Sequence, residues 1–400
     1  MVDTLKKALL FVIMILMSFG ILGNILSFSH LFRPNPLHGT YNPSVKPIFY
    51  VNDYFFGSFQ NHFYRYLEEN VGFHEILVRI NNQIAFSLFS MTSASGLVIG
   101  RKNYLFADGY IYEYLGRSFQ GRDFWDKKLT MIKYIQDTLR KRGVDLIIIL
   151  EPGKAKYYPE YIPARFKPDL ITISNNDYLV QSFKKEKIQF IDFNTFFASI
   201  KDTVPVPLYP KCGIHWSAYG AGIAMDSIIR RMEKIKNRKM VRFGWTGFDR
   251  PDTLRTPDYD LGELMNLLFW IPTDKMVYPR FTFHEDSGCF KPKVITVADS
   301  YYWNLYGPGI TSMIYGKEYF WDYFKTVYEP VAKLTVQNNR INMGDEISQG
   351  RIKIKKLEPD SILKEIFDSD FILIMATEGN YYRLGFGFFE EVYNQFKKHL

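Results

Sequence analysis

Two short stretches carry residue types that could make and break an ester. In KVITVADSYYW a β-rich run ends at Ala298, and Asp299 and Ser300 follow at once. Ligands of open α/β sheets bind outside the carboxyl ends of the strands, so a serine there stands where a nucleophile is wanted. The amides of a helix opening behind it could stabilise an oxyanion. A plain helix cap is the commoner use of such a serine. In YPKCGIHWSAYG, His215 precedes a helix opened by Ser217. Serine attacks only when a base takes its proton, and histidine is the usual base. Of the seven histidines, His215 alone sits at a loop-to-helix junction beside an aromatic within the strand-and-helix region. The bland alternative is a histidine satisfied near a cap.

Other residues gather near these two. Lys154, Tyr158 and Glu160 in EPGKAKYYPEYIP follow a strand ending near Leu150, so they share its carboxyl edge. They would bind an acyl donor or a sugar carboxylate, or else form an ordinary surface loop. Trp216, Tyr301, Tyr302 and Trp303 flank the candidate pair, where aromatics either stack on sugar rings or pack loops. Asp258 and Asp260 imitate a metal-binding acidic pair. No histidine or third carboxylate is spaced near them, so no metal and no cofactor is expected. Two cysteines, Cys212 and Cys289, exclude a zinc module and a disulfide-dense scaffold. A bridge between them would tie the two candidate loops together, which spacing does not decide, and no pattern pairs Cys212 with a base.

Elements that would position these residues can be read from hydrophobic period. DLIIIL (145–150), KIQFIDF (187–193), KVITVA (293–298) and DFILIMA (370–376) read as buried strands. Helical patterns fall at 123–142, 176–186 and 217–237. Strands separated by helices imply βαβ units, and hence an α/β fold with a doubly wound parallel sheet. Residues 245–285 break the rhythm and read as an insertion over the sheet edge, of the kind that shapes a substrate groove.

The amino terminus is different. Lys6 and Lys7 precede an uncharged run over 8–29, close to the roughly 20 residues that span a bilayer. A cleaved signal would show a shorter apolar core and a small-x-small exit, although Ser27 and Ser29 leave cleavage open. A buried core helix fits neither the length nor the position. With the lysines held inside, the rest of the chain is extracytoplasmic. The expected order is therefore an anchor or signal segment over 1–30, a juxtamembrane linker over 31–70 and an α/β domain over 71–400. The linker's first twenty residues hold four prolines. The 400 residues are 47% hydrophobic and 23% charged, which excludes global disorder and a polytopic membrane protein. The net charge of +8 is scattered rather than striped, and no nucleic-acid fold signature is present.

In order, the motifs resemble those of the AlgX/AlgJ-like group of SGNH-hydrolase-like proteins, which O-acetylate exported polysaccharides. KNYLFADGYIYEYLG (102–116) is similar to the group's "dGwLF" segment, and EPGKAKYYPEYIP (151–163) to its "P-x-K-x-x-x-Y-P-E" loop. Gly213-Ile214-His215-Trp216 matches "Asp-x-His-Trp", and Ala298-Asp299-Ser300 matches "Gly-Asp-Ser". DYDLGELMNL (258–267) and ILIMATEGN (372–380) also fit, so the resemblance covers about 70–395. It implies that Ser300 is acylated, that His215 is its base and that Asp299 holds the turn. It also implies a sugar hydroxyl as acceptor, with a membrane-bound O-acyltransferase supplying the acetyl group. A carbohydrate esterase would use the same Ser/His with water as acceptor.

Two departures matter. The group's triad aspartate falls on Gly213 and its leading glycine on Ala298. A triad acid orients the imidazole and stabilises the imidazolium. Its loss leaves three possibilities: a Ser300–His215 dyad, a substitute from Glu151, Glu160, Asp286 or Glu378, or an inactive carbohydrate-binding scaffold. If no substitute acid approaches the His215 ring, Gly213→Asp should raise turnover unless the backbone there is left-handed.

Overall fold

The structure is a computed structural model. It describes residues 35–39, 44–167, 169–332, 334, 336, 337, 340, 341 and 343–399, with 4, 6–11, 14, 15, 18, 22, 23 and 25 from the amino terminus. The anchor expected over 8–29 falls largely outside the described residues. Among those described, no helix is long and apolar enough to cross a membrane. The chain divides into two units, Met1–Ile99 with Asp260–Pro272, and Gly100–Tyr259 with Thr273–Leu400.

The first unit holds helices α1 (Ser58–Glu69) and α2 (His74–Phe89). No residue of α1 is buried, whereas Asn82 of α2 is buried and donates to the Met265 carbonyl at 3.0 Å.

The second unit contains helices α3 (Asp108–Tyr114), α4 (Arg122–Arg140), α5 (Asn175–Lys185), α6 (Ala218–Lys236), α7 (Pro359–Phe367) and α8 (Phe388–His399). Its seven-stranded sheet is formed by β1 (Asp145–Glu151), β2 (Phe190–Asp192), β3 (Lys293–Ala298), β4 (Lys317–Asp322), β5 (Thr326–Pro330), β6 (Ile352–Lys356) and β7 (Phe371–Thr377). The spatial order is β6-β5-β4-β3-β7-β1-β2.

Strands β4, β3, β7, β1 and β2 are mutually parallel, as the aliphatic runs imply. Their carboxyl ends therefore lie along one edge. The expectation of a wholly parallel sheet is corrected on the other side: β5 is antiparallel to β4, and β6 to β5. Only Tyr323–Lys325 separate β4 from β5, a turn far too short for a parallel crossover. The lysines of β6 (IKIKK), exposed at the sheet's outer strand, guard that edge against further pairing.

β7 is buried at all seven positions and β1 at six. Each Ile or Leu so buried contributes roughly 1.5–3 kcal/mol relative to exposure. Leu146, Ile148 and Leu150 of β1 join Ile372 and Ile374 of β7 on one sheet face. They pack with Trp125, Leu129, Ile132 and Leu139 of α4 and with Phe388, Val392 and Phe396 of α8. The spacing on α4 is one helical stripe. Ile147, Ile149, Leu373 and Met375 alternate onto the opposite face, also buried. β2 is shorter than the run 187–193 suggests, because Asp192 accepts from Thr195 N at 3.2 Å and starts the next helix, Phe193–Ile200. Antiparallel strands Arg242–Asp249 and Tyr278–His284 bracket the excursion read at 245–285.

Candidate active site

β3 delivers its last residue, Ala298, fully buried, and the chain then turns. Asp299 makes the turn. Its Oδ1 accepts from Tyr301 N at 3.1 Å. Its Oδ2 accepts from Thr377 N and Oγ1, both at 2.9 Å, and from Asn380 Nδ2 at 2.7 Å. A carboxylate with that many donors is a structural clamp between the ends of β3 and β7. Ser300 follows as the first residue of a 3₁₀ turn, Ser300–Tyr302.

The second loop is set by α6. Ser217 caps that helix, its Oγ accepting from Gly220 N at 3.0 Å. His215, two residues earlier, thereby points its Nε2 to within 2.9 Å of Ser300 Oγ, although 85 positions separate the two in the chain. The loops are bound to each other on both sides of this contact. Trp216 Nε1 donates to the Tyr301 carbonyl at 3.2 Å, and Asn304 Nδ2 to the Trp216 carbonyl at 2.8 Å. Tyr301 Oη donates to the Ile214 carbonyl at 2.5 Å, with its ring 5.0 Å from the His215 ring. The Ser300–His215 distance is thus built into the fold.

The residues expected to meet substrate divide from these two. Trp216 and Tyr301 are buried and pack the loops together rather than facing a sugar. Tyr158 is buried among Tyr104, Tyr157 and Tyr161. Lys154 is buried too, its ammonium donating to the Lys211 carbonyl at 2.8 Å and the Gly213 carbonyl at 2.7 Å. It braces the histidine loop from beneath, because a buried ammonium must be met by acceptors. The amides expected to serve an oxyanion are committed as well: Tyr301 N to Asp299 Oδ1, and Tyr302 N to the Asp299 carbonyl at 3.2 Å. Both thiols are free, and burial pushes Cys212 up to about 11, which leaves it a poor nucleophile.

Gly213 is glycine for lack of room. A Cβ built on it would lie 2.7 Å from Pro210 Cγ and 2.9 Å from the backbone carbon and oxygen of Asp258. The segment around Asp258 fills the volume that a side chain at 213 would need. Of the candidate acids, Glu160 pairs with Lys201 at 2.7 Å and Asp286 is exposed. Glu378 lies buried against Gly153, and Glu151 lies beside Asp299.

One residue was invisible in the sequence. After β4 the chain adopts left-handed backbone at Tyr323 (φ 48°) and Phe324 (φ 55°), a strained pair for non-glycine residues. The strain is held by Tyr323 N donating to the Ala298 carbonyl at 2.9 Å. It sets the phenol beside Ser300. Burial, then the Asp299 charge, raises that phenol above its ordinary value, and the Ser300 contacts only partly offset this. It stays a donor near neutral pH. Nothing in DYFK marks such a role, since the signal is the turn's geometry.

Parallel strands with a serine and a histidine paired at their carboxyl edge define an SGNH-hydrolase-like α/β domain. Residues 97–256, which include His215 but not Ser300, match the family model described as the SGNH hydrolase-like domain of acetyltransferase AlgX. Over that stretch the chain is AlgX/AlgJ-like. It is 26% identical over 153 residues to the probable alginate O-acetylase AlgJ of Pseudomonas putida, 37% of each chain. With AlgJ of Pseudomonas aeruginosa it shares 32% identity over 130 residues, 32% of this chain and 30% of that one. The matches therefore span about a third of those relatives' length. Among solved structures, the O-acetyltransferase domain of Pseudomonas putida AlgJ aligns over 75% of this chain and 99% of its own, at 14% identity and TM-score 0.44. Pseudomonas aeruginosa AlgX aligns over 74% and 66%, at 14% identity and TM-score 0.43.

Proposed function

We propose that the protein is an extracytoplasmic O-acetyltransferase that modifies a surface or exported polysaccharide through an acyl-serine on Ser300. The observation that carries this reading is the 2.9 Å contact between His215 Nε2 and Ser300 Oγ at the carboxyl edge of the parallel strands. His215 takes the hydroxyl proton as Oγ attacks the acetyl carbonyl, and returns it to the departing group. In the second half, His215 takes a proton from a sugar hydroxyl, that oxygen attacks the acyl-serine, and Ser300 regains its proton. Tyr323, beside Ser300, is assigned to the developing oxyanion. Asp299 holds the turn and takes no proton in this scheme.

The names of the relatives, alginate O-acetylases and an acetyltransferase, support the substrate class. The acetyl supplier on this reading is a membrane-bound O-acyltransferase, and the apolar run over 8–29 holds the chain at the same membrane. The test is acetyl transfer from p-nitrophenyl acetate to an acidic oligosaccharide by the purified protein and by Ser300→Ala. Transfer by the wild type and none by the variant is expected. Acetate released to water without transfer would identify an esterase instead. Oligosaccharide binding with no acetyl turnover would identify a scaffold.

A further inference from the structure

One acidic side chain at the carboxyl edge has no part in this scheme. Glu151 ends β1 with no exposed surface. Among the described residues, neither of its carboxyl oxygens meets an N–H or O–H donor. An ionised carboxylate could not be kept there without a heavy desolvation cost. Register shows what it faces. Glu151 pairs with Thr377 across β1 and β7. On the other side of β7 lies β3, which runs into Asp299, and Asp299 reaches over to Thr377. The two carboxyl groups therefore converge above one residue, within hydrogen-bonding reach of each other.

Two carboxyl groups share a hydrogen bond only when one of them holds a proton. Asp299 already accepts from Tyr301 N, Thr377 N, Thr377 Oγ1 and Asn380 Nδ2, which fits the charged partner. The proton belongs on Glu151.

We propose that Glu151 is a protonated positioning residue whose O–H donates to Asp299 and so fixes the turn that presents Ser300 to His215. This rests on the acyl-transfer reading of Ser300. Burial, joined by the Asp299 charge and the hydrogen bond to it, pushes the Glu151 carboxyl well above the usual range. Deprotonation would set two negative charges against each other beneath the nucleophile.

The surroundings decide how such a change can be read. Tyr110 of α3, Tyr209 of the loops and Tyr381 after β7 feel the Glu151 charge, Tyr301 feels that of Asp299, and burial raises all four phenols, so they keep their protons. Tyr381 Oη and Asn194 Nδ2 donate to the Glu151 backbone carbonyl, each at 3.2 Å. Asp322 flanks Asp299 on the β4 side, where burial and the Asp299 charge raise it to about 6. Glu378 is raised chiefly by burial. Both acids add pH dependence of their own, so the informative quantity is the difference between wild type and a Glu151 variant.

A carboxyl raised on folding gives stability that is whole below its unfolded value and lost as pH rises through its folded one. Glutamine keeps an N–H donor at every pH. Glu151→Gln, Glu151→Leu and Ser300→Ala should be prepared in the full chain, with Tm and p-nitrophenyl acetate turnover followed from about pH 5 to 9. The Tm advantage of Glu151→Gln over wild type should widen as pH rises, with turnover near neutrality within about threefold of wild type. Glu151→Leu, which removes the donor but fills the space, should lose at least about tenfold in kcat with KM nearly unchanged. A Tm gap that stays constant with pH, or a Glu151→Leu enzyme with wild-type kcat, overturns the proposal. Undiminished turnover in Ser300→Ala overturns the acyl-transfer reading and the positioning role together. A constant gap alongside an inactive Ser300→Ala overturns the positioning role alone.

Discussion

Ser300 and His215 derive their chemistry from what surrounds them more than from their own exposure. Ser300 follows the turn held by Asp299, and His215 is carried by a loop in which the carbonyls of Gly213, Ile214 and Trp216 accept from Lys154, Tyr301 and Asn304. Gly213→Asp should not improve the site. Its Cβ would press on the Asp258 backbone and Pro210, so the variant should lose about 1–3 kcal/mol in a thermal or urea melt and gain no turnover. The sequence-based expectation that it would help considered only φ, whereas the obstacle is a neighbouring segment 45 positions away. Tyr323→Phe should lower kcat by about 10²-fold with little change in KM, the usual effect of losing one oxyanion donor. A phenylalanine enzyme with full kcat would reduce Tyr323 to a packing residue. That Ser300 and His215 stand close together could be anticipated in the sequence, because both lie at element boundaries on the same sheet edge. Lys154, Tyr158, Trp216 and Tyr301 lay in the right loops, but residue type does not reveal whether a side chain turns toward solvent or toward the loop beneath.

The elements were legible in proportion to how deeply they are buried. β1, β3 and β7 announce themselves as aliphatic runs, and α4 and α6 as single apolar stripes, α6 capped by Ser217. β4, β5 and β6 lack that signature: EYFWDYF holds five aromatics and two acids, and IKIKK is an exposed edge strand. The antiparallel pairing of β4 with β5 depends on a three-residue turn, which hydrophobic period does not encode. β4 matters to the site nonetheless. Its Glu318 is buried, accepts from Tyr302 Oη and, at 2.8 Å, from Thr311 Oγ1, and so ties the 3₁₀ turn after Ser300 to the sheet. Burial raises this carboxyl from 4.5 to about 7, although the two hydroxyls pull it back. Its folded value being the higher one, the stability it supports is present below pH 4.5 and is lost as pH rises toward about 7. Glu318→Gln should therefore gain in Tm relative to wild type across that interval. Differential scanning at several pH values checks this, and a gap that does not change with pH would contradict it.

For the molecule as a whole, the fold class followed from alternating strands and helices, and the AlgX/AlgJ-like match rests on residues 97–256. Ser300 lies beyond that stretch, so its role depends on the geometry that joins it to His215 rather than on the match. The contact has a direct chemical consequence. A serine whose proton passes to a histidine 2.9 Å away should be acylated by an activated ester. The most direct measurement is intact-protein and peptide mass spectrometry of the full chain, quenched early after mixing with p-nitrophenyl acetate. The account predicts one added acetyl group, located on Ser300, absent from Ser300→Ala and strongly reduced in His215→Asn. An acetyl group on another residue, or labelling that survives Ser300→Ala, would contradict it.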